Sequence, residues 1–142
     1  MKRSPRCRQA IDCAKQAYGR LGHSHLTSAH LVLGLLSLNG GVGDGVLKRA
    51  GLSSESVERY LSSKRIGSGE AIELEGAEFG KSAMDALARA EFEAAAFSHT
   101  IFGVEHLTLA LLSEERGDAA DLFASVHIDC DKLRQTILDQ IQ

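Results

Sequence analysis

Apolar residues recur along this chain at the spacing of amphipathic helices, in eight stretches separated by glycines and capping residues. In the first stretch, Cys7, Ile11 and Ala14 share a face, and Ser4 precedes it as a suitable N-cap. The predicted helices span about residues 5–20, 28–39, 42–50, 54–64, 82–96, 104–114, 118–124 and 129–141. Two further N-caps, Asp118 and Asp129, are predicted because their charges also suit the positive end of a helix dipole.

The order of these stretches repeats. His23 and His30 precede His99 and His106 by 76 positions each. Without any gap, the same displacement superposes a set of identical residues: Ala10, Ala14, Leu31, Leu33, Leu35, Leu36, Ser37 and Gly41 fall on Ala86, Ala90, Leu107, Leu109, Leu111, Leu112, Ser113 and Gly117. One register kept over two histidines and a leucine ladder identifies an internal duplication.

The duplication predicts an all-α chain of two tandem four-helix repeats. We expect a single domain over residues 1–142, with repeat one at 4–64, a linker at 65–81 and repeat two at 82–142. The linker is rich in Gly, Ser and Glu, so it is expected to pack on the surface. Within it, Ile72 and Leu74 alternate with glutamates, which favours a short extended piece.

Composition excludes several classes of protein. An apolar fraction of 44% and a charged fraction of 25% are typical of a globular domain. A net charge of −3 gives no electrostatic reason to expect nucleic acid, and no apolar run is long enough to span a membrane. Three cysteines without a CxxC pair favour a reducing, cytoplasmic location, and no signal peptide is indicated.

Two motifs resemble functional sites but lack the residues that those sites require. The run from Gly76 to Ser82 resembles a P-loop, but only three residues separate its glycines and no βαβ unit surrounds it. His23 and His25 suggest a metal site, yet no third ligand is evident and Ile101 stands opposite His25 in the second repeat. The spacing indicates no catalytic constellation either, so we expect neither an enzyme nor a cofactor.

The histidine segments resemble the Clp N-terminal repeat. The family pattern is approximately Leu-Gly-His, three variable residues, Gly-Thr-Glu-His and a leucine-rich helix. The chain matches it at Leu21-Gly22-His23, at His30 and the leucines that follow, and again from His99 to Leu107. The resemblance covers nearly the whole chain and implies a pseudo-twofold bundle of eight helices. In the family this module precedes AAA+ ATPase rings and receives substrates and adaptor proteins, and some members stand alone as accessory proteins.

The resemblance also implies candidate binding residues. Relatives that recognise phosphoarginine use, in each half, the acidic residue before the motif histidine, together with hydroxyl and basic groups near the first helix of that half. The candidates here are Glu105, Ser4, Lys81, Ser82, Thr27 and Ser28. Three positions depart from the pattern: Ala29 replaces the acid, and Gly80 and Met84 stand where the hydroxyl and the cation are expected. We therefore expect phosphoarginine binding to be weak or lost.

Two functions remain open at this point. The first is a non-enzymatic module, monomeric in isolation, that docks substrates or adaptors to a Clp chaperone–protease. The alternative is a stand-alone accessory subunit that binds the Clp ATPase or peptidase and modulates its assembly. The start at Met1 and the end at Gln142 fit either a natural short protein or an excised domain. The two repeats differ at Leu38 against Glu114 and at Asn39 against Glu115, so their surfaces are expected to have diverged.

Overall fold

A computed structural model describes residues 1–64 and 71–141 of the chain. The helices in these residues are α1 Pro5–Arg20, α2 Ser28–Leu36, α3 Val42–Arg49, α4 Ser54–Ser63, α5 Lys81–Ala96, α6 Val104–Leu112, α7 Asp118–Ser125 and α8 Cys130–Ile141. The strands are β1 Lys2–Arg3, β2 Ala71–Leu74, β3 Ala77–Gly80 and β4 Ile101–Phe102. The predicted all-α fold with eight helices in two sets of four is confirmed.

The ends of the helices follow the capping residues of the sequence, with one exception. The Ser4 hydroxyl accepts a hydrogen bond from the N–H of Cys7 at 3.1 Å, and the Asp129 carboxylate accepts one from Lys132 at 3.2 Å. The prediction that Asp118 caps α7 is wrong, because Gly117 is the cap and Asp118 is the first helical residue. Its carboxylate instead accepts a hydrogen bond from the Ser82 hydroxyl at 2.8 Å.

The part of the predicted linker that the structure describes is a β-hairpin. Residues 65–70 lie outside the described residues, β2 and β3 pair antiparallel, and Lys81 already belongs to α5. The extended piece expected at Ile72 and Leu74 is confirmed as β2. The hairpin is not only a surface feature, because Phe79 is fully buried in the core.

In each half, the strand before the first helix pairs with the other half. We call β1 and β3 the entry strands. Before α1, β1 pairs in parallel with β4, and Ser4 donates its N–H to the carbonyl of Phe102 at 2.9 Å. Before α5, Gly80 donates its N–H to the carbonyl of Leu26 at 2.8 Å. Positions 4 and 80 correspond in the repeat, and so do positions 26 and 102. The start of each first helix therefore lies against the histidine segment of the opposite half.

The core is centred on α2 and α6. All nine residues of α2 are buried, and eight of the nine in α6 are, which is the pattern of a helix surrounded by protein on every side. Helix α2 lies so close to α1 that a Cβ added at Gly34 would stand 2.1 Å from the backbone oxygen of Ala10. Packing against α1 at this distance requires glycine at position 34.

Candidate functional site

The motif histidines form a hydrogen-bonded pair in each half. In the first half, the N–H of Thr27 donates to Nδ1 of His30 at 2.9 Å, and Nε2 of His30 lies 2.8 Å from Nδ1 of His23. Because Nδ1 of His30 is an acceptor, the hydrogen-bond network assigns the proton to Nε2, which donates to His23. Burial lowers the pKa of His23, and the backbone of Leu61 partly offsets this effect. Burial lowers the pKa of His30 to about 3, which keeps the ring neutral.

The second half repeats this geometry. The N–H of Gly103 donates to Nδ1 of His106 at 2.8 Å, and Nε2 of His106 lies 2.9 Å from Nδ1 of His99. Burial lowers the pKa of His106 as well, although the carboxylate of Glu105 partly offsets this effect. The prediction that both motif histidines satisfy nearby backbone groups is confirmed. They accept hydrogen bonds from the backbone N–H groups at the starts of α2 and α6.

A cleft lies between the two halves where α1, α3 and α6 begin, and its volume is about 340 Å³. We call it the first seam cleft. It is lined by Ser4, Pro5, Arg6, Gly41, Val42, Gly103, Val104 and Glu105. The Glu105 side chain is 35% exposed, so its carboxylate is accessible from the cleft. On the opposite side, the Arg6 guanidinium donates to the carbonyl of Asn39 at 2.9 Å and lies 3.5 Å from the buried Asp44 carboxylate. One accessible acid and one half-exposed cation therefore face a single cleft.

The second seam cleft is the pseudo-equivalent site, at the start of α5 and α7, and its volume is about 780 Å³. It is lined by His25, Ile72, Phe79, Lys81, Ser82, Met84, Asp85, Arg116, Gly117 and Asp118. Lys81 forms an exposed ion pair with Asp85 at 2.7 Å. Thr27 and Ser28 lie behind this cleft and are buried, with 1% and 0% exposure, so they support the wall and are not accessible to a ligand.

A polar network closes the rear of the second seam cleft. Ser82 accepts a hydrogen bond from the N–H of Ser28 at 3.0 Å, and the Ser28 hydroxyl donates to the Glu114 carboxylate at 3.1 Å. The same Glu114 oxygen accepts from the N–H of Ala120 at 2.8 Å, while the N–H of Ala119 donates to the Ser28 hydroxyl at 2.8 Å. Glu114 thus supplies the anion that the start of α7 attracts. Burial raises the pKa of this carboxyl group.

The candidate residues are therefore grouped across the halves. The family resemblance assigned the acid and the hydroxyl of each site to the same half, but Ser4 of the first half shares a cleft with Glu105 of the second. Likewise, Ser82 of the second half contacts Ser28 of the first. The exchange of entry strands is the physical reason, because it carries each first helix to the opposite histidine segment.

Two of the three departures from the family pattern lie at enclosed positions. Ala29 is fully buried, so burying a carboxylate there would cost its hydration. A Cβ added at Gly80 would meet the His25 ring at 2.4 Å, so a side chain there requires His25 to move. Sequence reasoning missed His25 in this role, and it also missed Arg6 and Glu114 as groups that face or close the clefts. For Glu114 a signal existed, since its partner position holds Leu38.

The buried thiol of Cys7 is not suited to act as a nucleophile. Cys7 has no exposed surface, and burial raises its pKa to about 12, so it stays protonated near neutral pH. Among the described residues no group of three or more metal-ligating side chains is found, and no helix is long and apolar enough to cross a membrane. What the two clefts offer is hydrogen bonds, charge and shape.

This geometry defines a helical tandem-repeat domain whose halves are joined by exchanged entry strands. The chain belongs to the family of the Clp repeat (R) N-terminal domain, whose model matches residues 2–77 and again 78–142. The predicted resemblance to this family is thereby confirmed.

Relatives in sequence come from Clp ATPases. The chain is 30% identical over 142 residues to the "Probable ATP-dependent Clp protease ATP-binding subunit" of Chlamydia pneumoniae, covering 96% of this chain and 16% of that protein. It is 28% identical over 133 residues to "Negative regulator of genetic competence ClpC/MecB" of Bacillus subtilis, covering 94% and 16%. The chain therefore spans about a sixth of the length of these relatives.

Solved structures agree on the fold. The N-terminal domain of the chaperone ClpD from Arabidopsis thaliana superposes with a TM-score of 0.78 at 16% identity, covering 99% of this chain and 94% of that one. The N-terminal domain of Hsp104 from Candida albicans gives a TM-score of 0.78 at 17% identity, covering 99% and 91%. At these identities the likeness establishes the architecture.

Proposed function

We propose that this chain is a non-catalytic protein-binding module that docks substrate or adaptor polypeptides to a Clp AAA+ chaperone–protease, as a monomer in the cytoplasm. The observation that carries the proposal is the first seam cleft. Three helix starts from both halves meet there, the Glu105 carboxylate is accessible, and Arg6 lies on the opposite side. A rigid cleft with one acid and one cation suits a polar polypeptide segment, because opposite charges at fixed positions confer specificity.

Among the candidate residues, we assign direct contact to Ser4 and Glu105 in the first seam cleft and to Lys81 and Ser82 in the second. Thr27 and Ser28 then act as supports of the wall. The two clefts are expected to differ in strength. The Glu114 carboxylate already occupies the start of α7, so an incoming anion at the second cleft meets a like charge.

The same comparison supports weak or lost phosphoarginine binding. A phosphoarginine site needs a carboxylate for the guanidinium and donors for the phosphate. The first seam cleft has Glu105 and Arg6, but Arg6 already contacts Asp44 and Asn39. At the second cleft the acid position is the buried Ala29. Micromolar affinity for a phosphoarginine peptide that Glu105→Ala abolishes would contradict this assignment.

The test is retention of partners on the immobilised chain in lysate of its source organism, with the bound proteins identified by mass spectrometry. Glu105→Ala is run beside Glu55→Ala, which removes a carboxylate from the same helical position of α4. We expect a small adaptor or a varied set of client proteins on the unchanged chain and on Glu55→Ala, and at least about a tenfold loss on Glu105→Ala.

Two other results would exclude the docking proposal. Retention of Clp ATPase or peptidase subunits, without adaptors or clients, would make the chain an accessory subunit that modulates the assembly. Equal retention by Glu105→Ala and Glu55→Ala would exclude the first seam cleft as the docking site. Purified chain that hydrolyses ATP would contradict the non-catalytic assignment.

A further inference from the structure

A third cleft lies away from both seam clefts, between α3 and α8. Its volume is about 360 Å³, near the lower end of the range of ligand sites. Three apolar side chains form its floor, namely Val46, Ile128 and Leu133. Val46 is buried, whereas the other two are half-buried, so apolar surface remains accessible within this α3–α8 cleft.

Basic side chains surround this apolar floor. Arg49 of α3, Lys132 of α8 and His127 before α8 all line the cleft and are exposed. In the part of the chain that the structure describes, neither Arg49 nor Lys132 is in an ion pair. The acid of the lining, Asp129, caps α8 through the N–H of Lys132. Two cations that form no ion pair therefore lie beside an apolar groove that also holds one carboxylate, Asp129.

The internal repeat provides a control for this arrangement. The pseudo-equivalent positions are also apolar, since Leu122, Leu52 and Val57 correspond to Val46, Ile128 and Leu133, but all three are buried. The basic positions are not kept: Ser125, Ser56 and Gly51 correspond to Arg49, Lys132 and His127. Apolar residues at these positions thus belong to the fold, whereas the basic residues and the accessible apolar surface belong to the α3–α8 cleft.

The surroundings of α4 and α7 differ in charge from those of the α3–α8 cleft. Near Tyr60 of α4, burial together with the carboxylates of Asp121, Asp118 and Glu114 raises the tyrosine pKa to about 12. One cation, Lys64, also lies there, with its Nζ 5.4 Å from the ring centroid. Three carboxylates and one cation therefore surround Tyr60, whereas the α3–α8 cleft is lined by Arg49, Lys132, His127 and one carboxylate.

His127 adds an independent observation. Its φ is 58°, in the left-handed region that favours glycine, and the corresponding residue of the first half is Gly51 with φ of 103°. A side chain with a Cβ costs stability at such a position, whereas glycine does not. The rim therefore has an imidazole where the backbone favours glycine.

We propose that the α3–α8 cleft binds an acidic peptide segment that inserts one leucine- or phenylalanine-sized side chain between carboxylates. The apolar floor receives the side chain, and Arg49, Lys132 and His127 pair with the flanking carboxylates. A nucleic acid suits the cleft less well, because Tyr, Phe and Trp are absent from its lining and the chain is acidic overall. This site is separate from the seam clefts and does not depend on the docking function proposed above.

Fluorescence anisotropy of the 142-residue chain with labelled peptides tests the proposal. The probe is a 12-residue peptide in which single leucines alternate with pairs of glutamates, and its control carries glutamine in place of every glutamate. We expect the glutamate peptide to bind at least about tenfold more tightly, with an affinity that falls as salt rises. Arg49→Glu and Lys132→Glu should each weaken binding by about tenfold or more.

Matched variants make the result specific. Ser125→Glu and Ser56→Glu place the same charge at the pseudo-equivalent positions in α7 and α4. Both should bind the glutamate peptide within about twofold of the unchanged chain. Failure of the docking proposal would leave this binding intact, so the two proposals can fail separately.

His127→Gly separates a binding role from a structural one. Removing the side chain from a left-handed position should raise the unfolding temperature by about 3 °C while it weakens peptide binding severalfold. The proposal is overturned by equal affinity for the glutamine peptide, by no loss in Arg49→Glu and Lys132→Glu, or by no binding at millimolar chain. A single-stranded oligonucleotide that displaces the peptide at equal concentration would also overturn it.

Discussion

The two halves begin their central helices with the same histidine pair, but the pair is placed in different surroundings. His30 is fully buried, and its partner His23 is half-buried near the backbone of Leu61. In the second half, His99 is exposed and stacks on Phe97 with ring centroids 5.6 Å apart. Identical motifs therefore secure identical geometry, whereas the neighbours decide how strongly each ring resists protonation.

The helix pairs behind these histidines also differ. Gly34 in α2 allows close approach to α1, whereas the equivalent residue of α6 is Ala110. The first half is thus packed more closely along its histidine helix, and the second half accepts a methyl group at the same place. The duplication preserves the topology and lets packing and charge vary, which is how two equivalent clefts acquire different chemistry.

Exchanging these two residues should give the largest effect on stability. Gly34→Ala places a Cβ against the backbone of Ala10, which cannot move aside as a side chain would, so we expect a loss of about 3 kcal/mol in the free energy of unfolding. Ala110→Gly should cost only about 1 kcal/mol, mainly through helix propensity. Urea denaturation of both variants measures the difference. Equal losses would mean that α1 and α2 pack no more tightly than α5 and α6.

The histidine pairs predict a pH dependence with a definite sign. The folded state keeps His30 neutral down to a pKa of about 3, whereas the unfolded chain takes up the proton near pH 6.5. The contribution of the neutral His30 ring to stability is therefore fully present above pH 6.5. It is lost as the pH drops through the window from 6.5 to 3. The slope reaches about 1.4 kcal/mol per pH unit, or about 2 kcal/mol by pH 5.

Glutamine variants compare the two halves in this window. Glutamine at the third helical position can still accept the cap N–H, but it does not titrate. Between pH 7 and pH 5 the free energy of unfolding should fall less in His30→Gln than in His106→Gln. The reason is that Glu105 stabilises the protonated form of His106, so this ring resists protonation less than His30 does. Denaturation at pH 7, 6 and 5, with His25→Gln as control, measures this. A larger effect of His106→Gln would reverse the ranking of the halves.

Much of the fold was predictable from the sequence because local chemistry determines it. The spacing of Cys7, Ile11 and Ala14 identifies α1, and the 76-residue displacement identifies the duplication. The caps at Ser4 and Asp129 follow from side chains that compete for free N–H groups at any helix start. These features depend on residues close together in the chain, so one sequence is sufficient to find them.

The clefts were only partly predictable, because they depend on contacts between distant segments. Pairing of β1 with β4 decides that Ser4 meets Glu105, and no periodicity records which half a strand joins. Ala29 is equally compatible with a surface and a core position, so its burial could not be inferred. Glu114 differs visibly from Leu38, but only the fold reveals that its carboxylate receives the N–H of Ala120.

The smallest expected difference concerns the caps of the last helix in each half. Ser53 and Asp129 are pseudo-equivalent, and each accepts the N–H three residues later, at 3.1 Å from Ser56 and 3.2 Å from Lys132. Replacing either by alanine should cost about 1 kcal/mol. Asp129→Ala should lower the free energy of unfolding by about 0.3 kcal/mol more than Ser53→Ala, because the charge of Asp129 also interacts with the helix dipole.

Salt separates these two contributions. The hydrogen bond is short-ranged and survives 1 M NaCl, where the screening length is about 3 Å, but the interaction of the charge with the dipole does not. Urea midpoints of the two alanine variants should therefore differ at low salt and coincide at high salt. A difference that persists at 1 M NaCl would show that the hydrogen bonds themselves are unequal. The divergence of the two halves would then extend to their caps.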